Sequence, residues 1–157
     1  MEARMTSKLV VSVTITAAML AIVGCDVGPK NRPAIALQAC AVDALSNTSG
    51  DPPTTALGTK VTAQGWAADT LGRRVGEDVF VYLVSAEGKI VSAGKRSTVV
   101  MRPDVAKHFG LPGIEAAGLH AELSTNGLSP GTYQLMIESR FADVTVACNP
   151  NKTLTLK

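Results

Sequence analysis

Asp78-Val79-Phe80-Val81-Tyr82-Leu83-Val84-Ser85-Ala86-Glu87-Gly88-Lys89-Ile90-Val91 is the stretch whose reading decides the fold. Val79, Val81 and Leu83 fall on one side of an extended chain, and Phe80, Tyr82 and Val84 on the other. Side chains alternate between the faces of a strand, so a run that is apolar on both sides predicts a central strand. Glu87, Gly88 and Lys89 supply a tight turn, and Ile90 and Val91 open the returning strand of a hairpin.

Outward from this hairpin the chain keeps the same rhythm of short strands and turns. Upstream, Lys60–Asp69 and Ala34–Val42 read as strands, separated by a loop from Ser46 to Thr55 that contains Pro52 and Pro53. Downstream, Ser97–Met101 reads as a further strand. Pro103 then suits the first position of a short helix, Asp104 its positive end, and Gly110 with Pro112 its stop. This is the only helix expected after the N-terminal segment. Leu119, Ala121 and Leu123 alternate with His120, Glu122 and Ser124, and Tyr133, Leu135 and Ile137 alternate with Gln134 and Glu138. Val144, Val146 and Cys148 form the inward set of another strand, and Thr153–Leu156 follows Pro150. Short alternating strands at this spacing predict an all-β, antiparallel sandwich with one short helix.

The N-terminus has a different character. Arg4 and Lys8 precede an apolar run from Leu9 to Gly24, too short for a comfortable span of roughly 20 residues, which predicts a cleaved signal peptide. Ile22, Val23, Gly24 and Cys25 close that run, and this sequence resembles the lipobox of bacterial lipoproteins. The resemblance implies that residues 1–24 are removed and that Cys25 becomes the first residue, carrying diacylglycerol on its sulfur and so holding the protein to a membrane. It also implies that Asp26 acts as an inner-membrane sorting mark. Residues 25–33, with Gly28, Pro29 and Pro33, then form a tether, and residues 34–157 form the domain. The competing account is an uncleaved anchor or a buried helix with Cys25 as a plain thiol.

With Cys25 assigned to lipid by that resemblance, the remaining two of the three cysteines, Cys40 and Cys148, have one possible pairing, and an oxidising envelope compartment favours it. Two buried free thiols are the alternative. The formal net charge is +2, of which Arg4 and Lys8 less Glu2 carry one unit. A domain so close to neutral does not suit phosphate neutralisation, so nucleic acid is not an expected partner.

Trp66 is the one tryptophan of the chain. Strict alternation places Val61, Ala63, Gly65 and Ala67 on one face and Thr62, Gln64 and Trp66 on the other, so Trp66 would be exposed and able to stack on a sugar ring. A β-bulge at Gly65 would instead turn Trp66 into the core, and that reading is favoured because large lone aromatics are usually buried. Arg102 and Asp104 flank Pro103 and could hydrogen-bond a glycan or a partner loop. Capping of the helix and local pairing are the favoured account. His108 and His120 have no neighbours at metal-ligand spacing, so no metal site or cofactor is expected. No nucleophile elbow, phosphate loop or Cys-x-x-Cys occurs, and no catalytic residue is assigned.

Gly65-Trp66-Ala67, then Arg102-Pro103-Asp104-Val105-Ala106 with Phe109, then Pro130-Gly131 and Tyr133, resemble in order the extracytoplasmic β-sandwich modules attached to bacterial membrane glycosyltransferases and polysaccharide-assembly proteins. The resemblance spans residues 60–140 and carries over no catalytic role, because those modules follow transmembrane helices. The order Cys40, Trp66, Cys148 is similar to that of immunoglobulin domains, except that Val146 stands where a tyrosine corner would place Tyr. The resulting expectation is an immunoglobulin-like sandwich, lipid-anchored and facing the periplasm, that binds an envelope protein or polysaccharide. The alternatives are an envelope hydrolase, an inhibitor of one presenting Ser46–Gly58 or Arg102–Ile114, and a structural lipoprotein without a small ligand.

Overall fold

A computed structural model of the protein describes residues 38–157. The expected signal peptide and tether, Cys25, Asp26 and the first four residues of the expected strand from Ala34 lie outside the described residues.

Nine strands form one curled, mixed sheet. In chain order they are β1 (Gln38–Leu45), β2 (Thr54–Thr55), β3 (Lys60–Asp69), β4 (Asp78–Val84), β5 (Ile90–Val100), β6 (Gly118–Ser124), β7 (Gly131–Arg140), β8 (Thr145–Cys148) and β9 (Thr153–Leu156). The spatial order is β1-β3-β6-β5-β4-β7-β9-β2, with β8 also paired to β7. β4 is central, between β5 and β7, as its doubly apolar sequence requires. The expected all-antiparallel pairing is corrected at one place: β2 runs parallel to β9, held through Thr54–Thr155 and Thr55–Leu156.

The expected strand from Ser97 is not separate. β5 runs unbroken from the hairpin turn, pairing with β4 over Ile90–Lys95 and with β6 over Arg96–Val100. A single strand that changes partners turns the sheet through a corner. Gly94 sits at that corner, where a Cβ would come within 2.2 Å of the Glu122 carbonyl oxygen, so only glycine lets β5 pass so close to β6.

The curl encloses the main core. Val61 and Ala63 from β3, Val79, Val81 and Leu83 from β4, Leu119, Ala121 and Leu123 from β6, Leu135 and Ile137 from β7, and Leu154 and Leu156 from β9 are buried together. These are the inward members of the alternations read from sequence. Tyr133 joins them and donates its hydroxyl back to the Ser129 carbonyl at 2.8 Å.

β1 and β8, two of the edge strands of the curl, lie side by side without a ladder between them among the described residues. The Cys40–Cys148 disulfide crosses this seam, with the Cα atoms 6.3 Å apart. Gln38 Nε2 also donates to Ser139 Oγ of β7.

α1 (Pro103–Phe109) is the short helix expected, with Pro103 in its first turn and Gly110, at φ 65°, ending it in the left-handed region. A 3-10 segment, Pro112–Ala117, follows and adds to the one helix anticipated. Together they cover part of the outer face of the sheet. Val105, Ala106, Ile114 and Ala117 pack there on Ala68, with Trp66, Val75 and Leu111 at the margin, as a second and smaller core.

Candidate functional site

Trp66 lies in β3 opposite Ala41 of β1 and Gly118 of β6. β3 keeps its alternation through Gly65, so the favoured bulge at Gly65 is not found and Trp66 does not enter the main core. The bulge is in the partner strand. Val42 pairs with Gly65 and Ala44 with Gln64, leaving Asp43 as the extra residue. Gly65 matters through close approach, since a Cβ there would stand 2.1 Å from the Ala41 carbonyl oxygen.

The indole is half-buried on the outer face, neither fully exposed nor enclosed. Its neighbours across the sheet, Ala41 and Gly118, are almost without side chains, so the sheet forms a trough around the ring. Phe109 at the end of α1 meets it edge-on, with centroids 5.7 Å apart and planes at 63°. His108 in turn meets Phe109 edge-on at 4.9 Å. The immunoglobulin-like order of Cys40, Trp66 and Cys148 therefore does not place the tryptophan on the disulfide: Cys40 packs against the main core and Trp66 against the second one.

Arg102 forms one rim of this trough. Its stem passes over Gly118, where a Cβ would lie 2.9 Å from Arg102 Cγ. Its guanidinium donates to Asp104 in a fork, Nε to Oδ1 at 3.0 Å and Nη2 to Oδ2 at 2.8 Å, and through Nη1 to Asp43 Oδ2 at 2.6 Å. The hydrogen bonds from Arg102 hold the Asp104 carboxyl down at about 2. The same pairing, with Asp104 first and Asp43 second, raises Arg102 above its ordinary range. Local pairing, the favoured account of Arg102 and Asp104, is observed. Capping is not, because Arg102 occupies the N-cap position without a side-chain cap hydrogen bond.

Trp66, Arg102 and Asp104 thus surround one open depression of about 320 Å³, completed by Val105, His108 and Phe109. Asp43 reaches it through the second arm of Arg102. Sequence reading missed Asp43: its bulge is visible only once Val42 and Leu45 are both seen to pack toward the main core, since an inward pair three apart does not occur in a regular strand.

Other candidates stay apart from this depression. His120 lies in β6 opposite Gln64, and Glu122 pairs with Lys60 at 2.8 Å on the exposed face. No group of three potential metal ligands occurs among the described residues. The loop from Ser46 is stitched to the body: Asn47 Nδ2 donates to the Lys60 carbonyl, Thr55 Oγ1 to the Asn47 carbonyl, and the Leu57 amide to the Lys157 carbonyl. A larger depression of about 480 Å³ lies between the hairpin turn and residues 127–133, where Glu87 and Lys89 are its charged lining groups. Comparisons with known protein families, curated proteins and solved structures find no match to this chain.

Proposed function

We propose that this protein is a non-enzymatic binding module of the bacterial cell envelope, lipid-anchored through Cys25, and that its Trp66 trough receives a sugar ring of an envelope polysaccharide. The observation that carries the reading is the environment of the tryptophan: half-buried, flanked across the sheet by Ala41 and Gly118, and bordered by the charged groups of Arg102 and Asp104. A pyranose offers an apolar face and a polar edge, and such a trough supplies the complements of both. Asp43 and Asp104 outnumber Arg102 in charge, which favours a neutral ring over a uronate or phosphorylated one. The lipobox supplies the location, with Asp26 favouring the inner membrane, and confinement to a surface raises the effective concentration of a weak site. The same reading takes the curled sheet as an immunoglobulin-like sandwich in shape, supported by the Tyr133 back-bond and the disulfide seam.

Titration of the full chain with soluble peptidoglycan fragments and neutral envelope oligosaccharides, followed by isothermal calorimetry, tests the site. A saturable change that Trp66→Ala abolishes is expected. Undiminished binding by Trp66→Ala, or a blank response to every glycan, overturns the sugar reading. In that event, crosslinking in native envelopes tests the second occupant, an envelope protein.

A further inference from the structure

We infer that the Cys40–Cys148 disulfide is a redox latch on the Trp66 trough: its reduction opens the β1–β8 seam and removes the β1 wall of the site while the rest of the sheet stays folded. The inference concerns the regulation of the site proposed above and rests on that reading for its biological meaning. Its physical content stands on β1 alone.

β1 is an edge strand whose only ladder is to β3. Val42 is its one fully buried side chain, with Cys40 and Leu45 partly buried against the core. Ala39, Ala41 and Ala44 add little apolar area, and the bulge at Asp43 interrupts the ladder midway. A strand with few buried contacts and an irregular ladder belongs to the low-stability end of a fold. The disulfide ties its other side to β8, and the Gln38–Ser139 hydrogen bond ties its first residue to β7. Both cysteines are partly exposed, which gives a reductant access.

The same few residues border the site. Cys40 pairs with Ala67 and the next residue, Ala41, with Trp66, while Asp43 holds Arg102 at 2.6 Å. A displacement of β1 therefore uncovers one flank of the indole and releases one of the two carboxylates on Arg102. Asp104 remains to hold Arg102, so α1 is loosened rather than lost.

The reductant is a dithiol, small or protein-borne. Its thiolate attacks one sulfur of the disulfide to give a mixed disulfide and one protein thiolate. Its second thiol then closes on the mixed disulfide and releases the other cysteine. Two electrons and two protons pass to Cys40 and Cys148, and the dithiol leaves as a cyclic disulfide.

Because the chain holds one tryptophan, its fluorescence reports the trough without any ligand. The full chain is compared before and after dithiothreitol, with the thiols of Cys40 and Cys148 counted by mass spectrometry, and beside a Cys40→Ser, Cys148→Ser variant. Iodide quenching of Trp66 is expected to rise about twofold on reduction. Hydrogen exchange should quicken in residues 38–45 and 102–109 and stay slow in β4 and β7. Asp43→Ala, left oxidised, should reproduce part of the rise in quenching. Unchanged quenching with both thiols free overturns the latch, and so does loss of protection in β4 and β7 together with β1. If glycans fail to bind the oxidised protein while reduction still raises iodide quenching, the sugar reading falls and the latch stands.

Discussion

Asp104 shows how much a single exposed ion pair does here. Arg102 clasps its carboxylate in a fork and holds its pKa near 2, below the ordinary 3.8. A carboxyl depressed in the folded state contributes stability at pH values above its unfolded pKa, and that contribution is lost as pH falls toward the folded value. The contact should therefore be constant from neutral pH to about pH 4 and disappear between 4 and 2, with the α1 end of the trough opening as it goes. Iodide quenching of Trp66 measured against pH tests this. The wild-type protein should show a rise in that window, and Asp104→Asn should show the raised value already at neutral pH. A flat profile in both would mean that the pair does not position α1. Tyr133 offers a cleaner case of one bond. Tyr133→Phe keeps the ring in the core and deletes only the hydroxyl that reaches Ser129, so it should cost about 1 kcal/mol in urea unfolding.

At the scale of the element, alternation was legible wherever one strand face is buried. Val61 and Ala63, Leu119 to Leu123 and Tyr133 to Ile137 fall inward as their spacing requires, because a one-residue slip would expose every one of them. The β1 bulge was not legible in the same way. It faces Gly65 on the neighbouring strand, where a Cβ would stand 2.1 Å from the Ala41 carbonyl oxygen, and no local pattern within β1 records so close an approach. The continuity of β5 was hidden for a similar reason, since the strand passes from β4 to β6 after Lys95 and its register shifts between Arg96 and Thr98, which breaks the alternation there. Trp66, Arg102 and Asp104 were each visible as chemistry, but their convergence depends on α1 folding back over β3, a tertiary fact. Gly65→Ala tests the bulge account. The added methyl should push β1 off its register at a cost of about 1–3 kcal/mol and raise the iodide quenching of Trp66 with it. Thermal unfolding and quenching should change together. If Gly65→Ala lowered the melting temperature and left the indole as protected as before, β1 would not be the wall of the trough.

For the whole molecule, the topology leaves a problem that pairing alone does not solve. A sheet that curls without closing leaves free edges, and here two of its edge strands, β1 and β8, are brought together without hydrogen-bonding as a ladder among the described residues. The disulfide spans 108 residues, nearly the whole described domain, so reduction returns to the unfolded chain almost all of the freedom that a single crosslink can remove. On the chain-entropy account, a loop of about 100 residues is stabilised by roughly 4.7 kcal/mol, a figure that strain and residual structure reduce. Equilibrium urea unfolding of the Cys40→Ser, Cys148→Ser variant should therefore show a loss of a few kcal/mol. The slope of the transition should rise, because the unfolded chain without its crosslink exposes more surface. The two quantities separate two explanations. A large loss with a steeper slope places the effect in the unfolded ensemble, whereas a large loss with an unchanged slope places it in native contacts across the seam. A loss well under 1 kcal/mol would show that the curl holds itself through its core, and that the bond across β1 and β8 serves the edge strands rather than the fold.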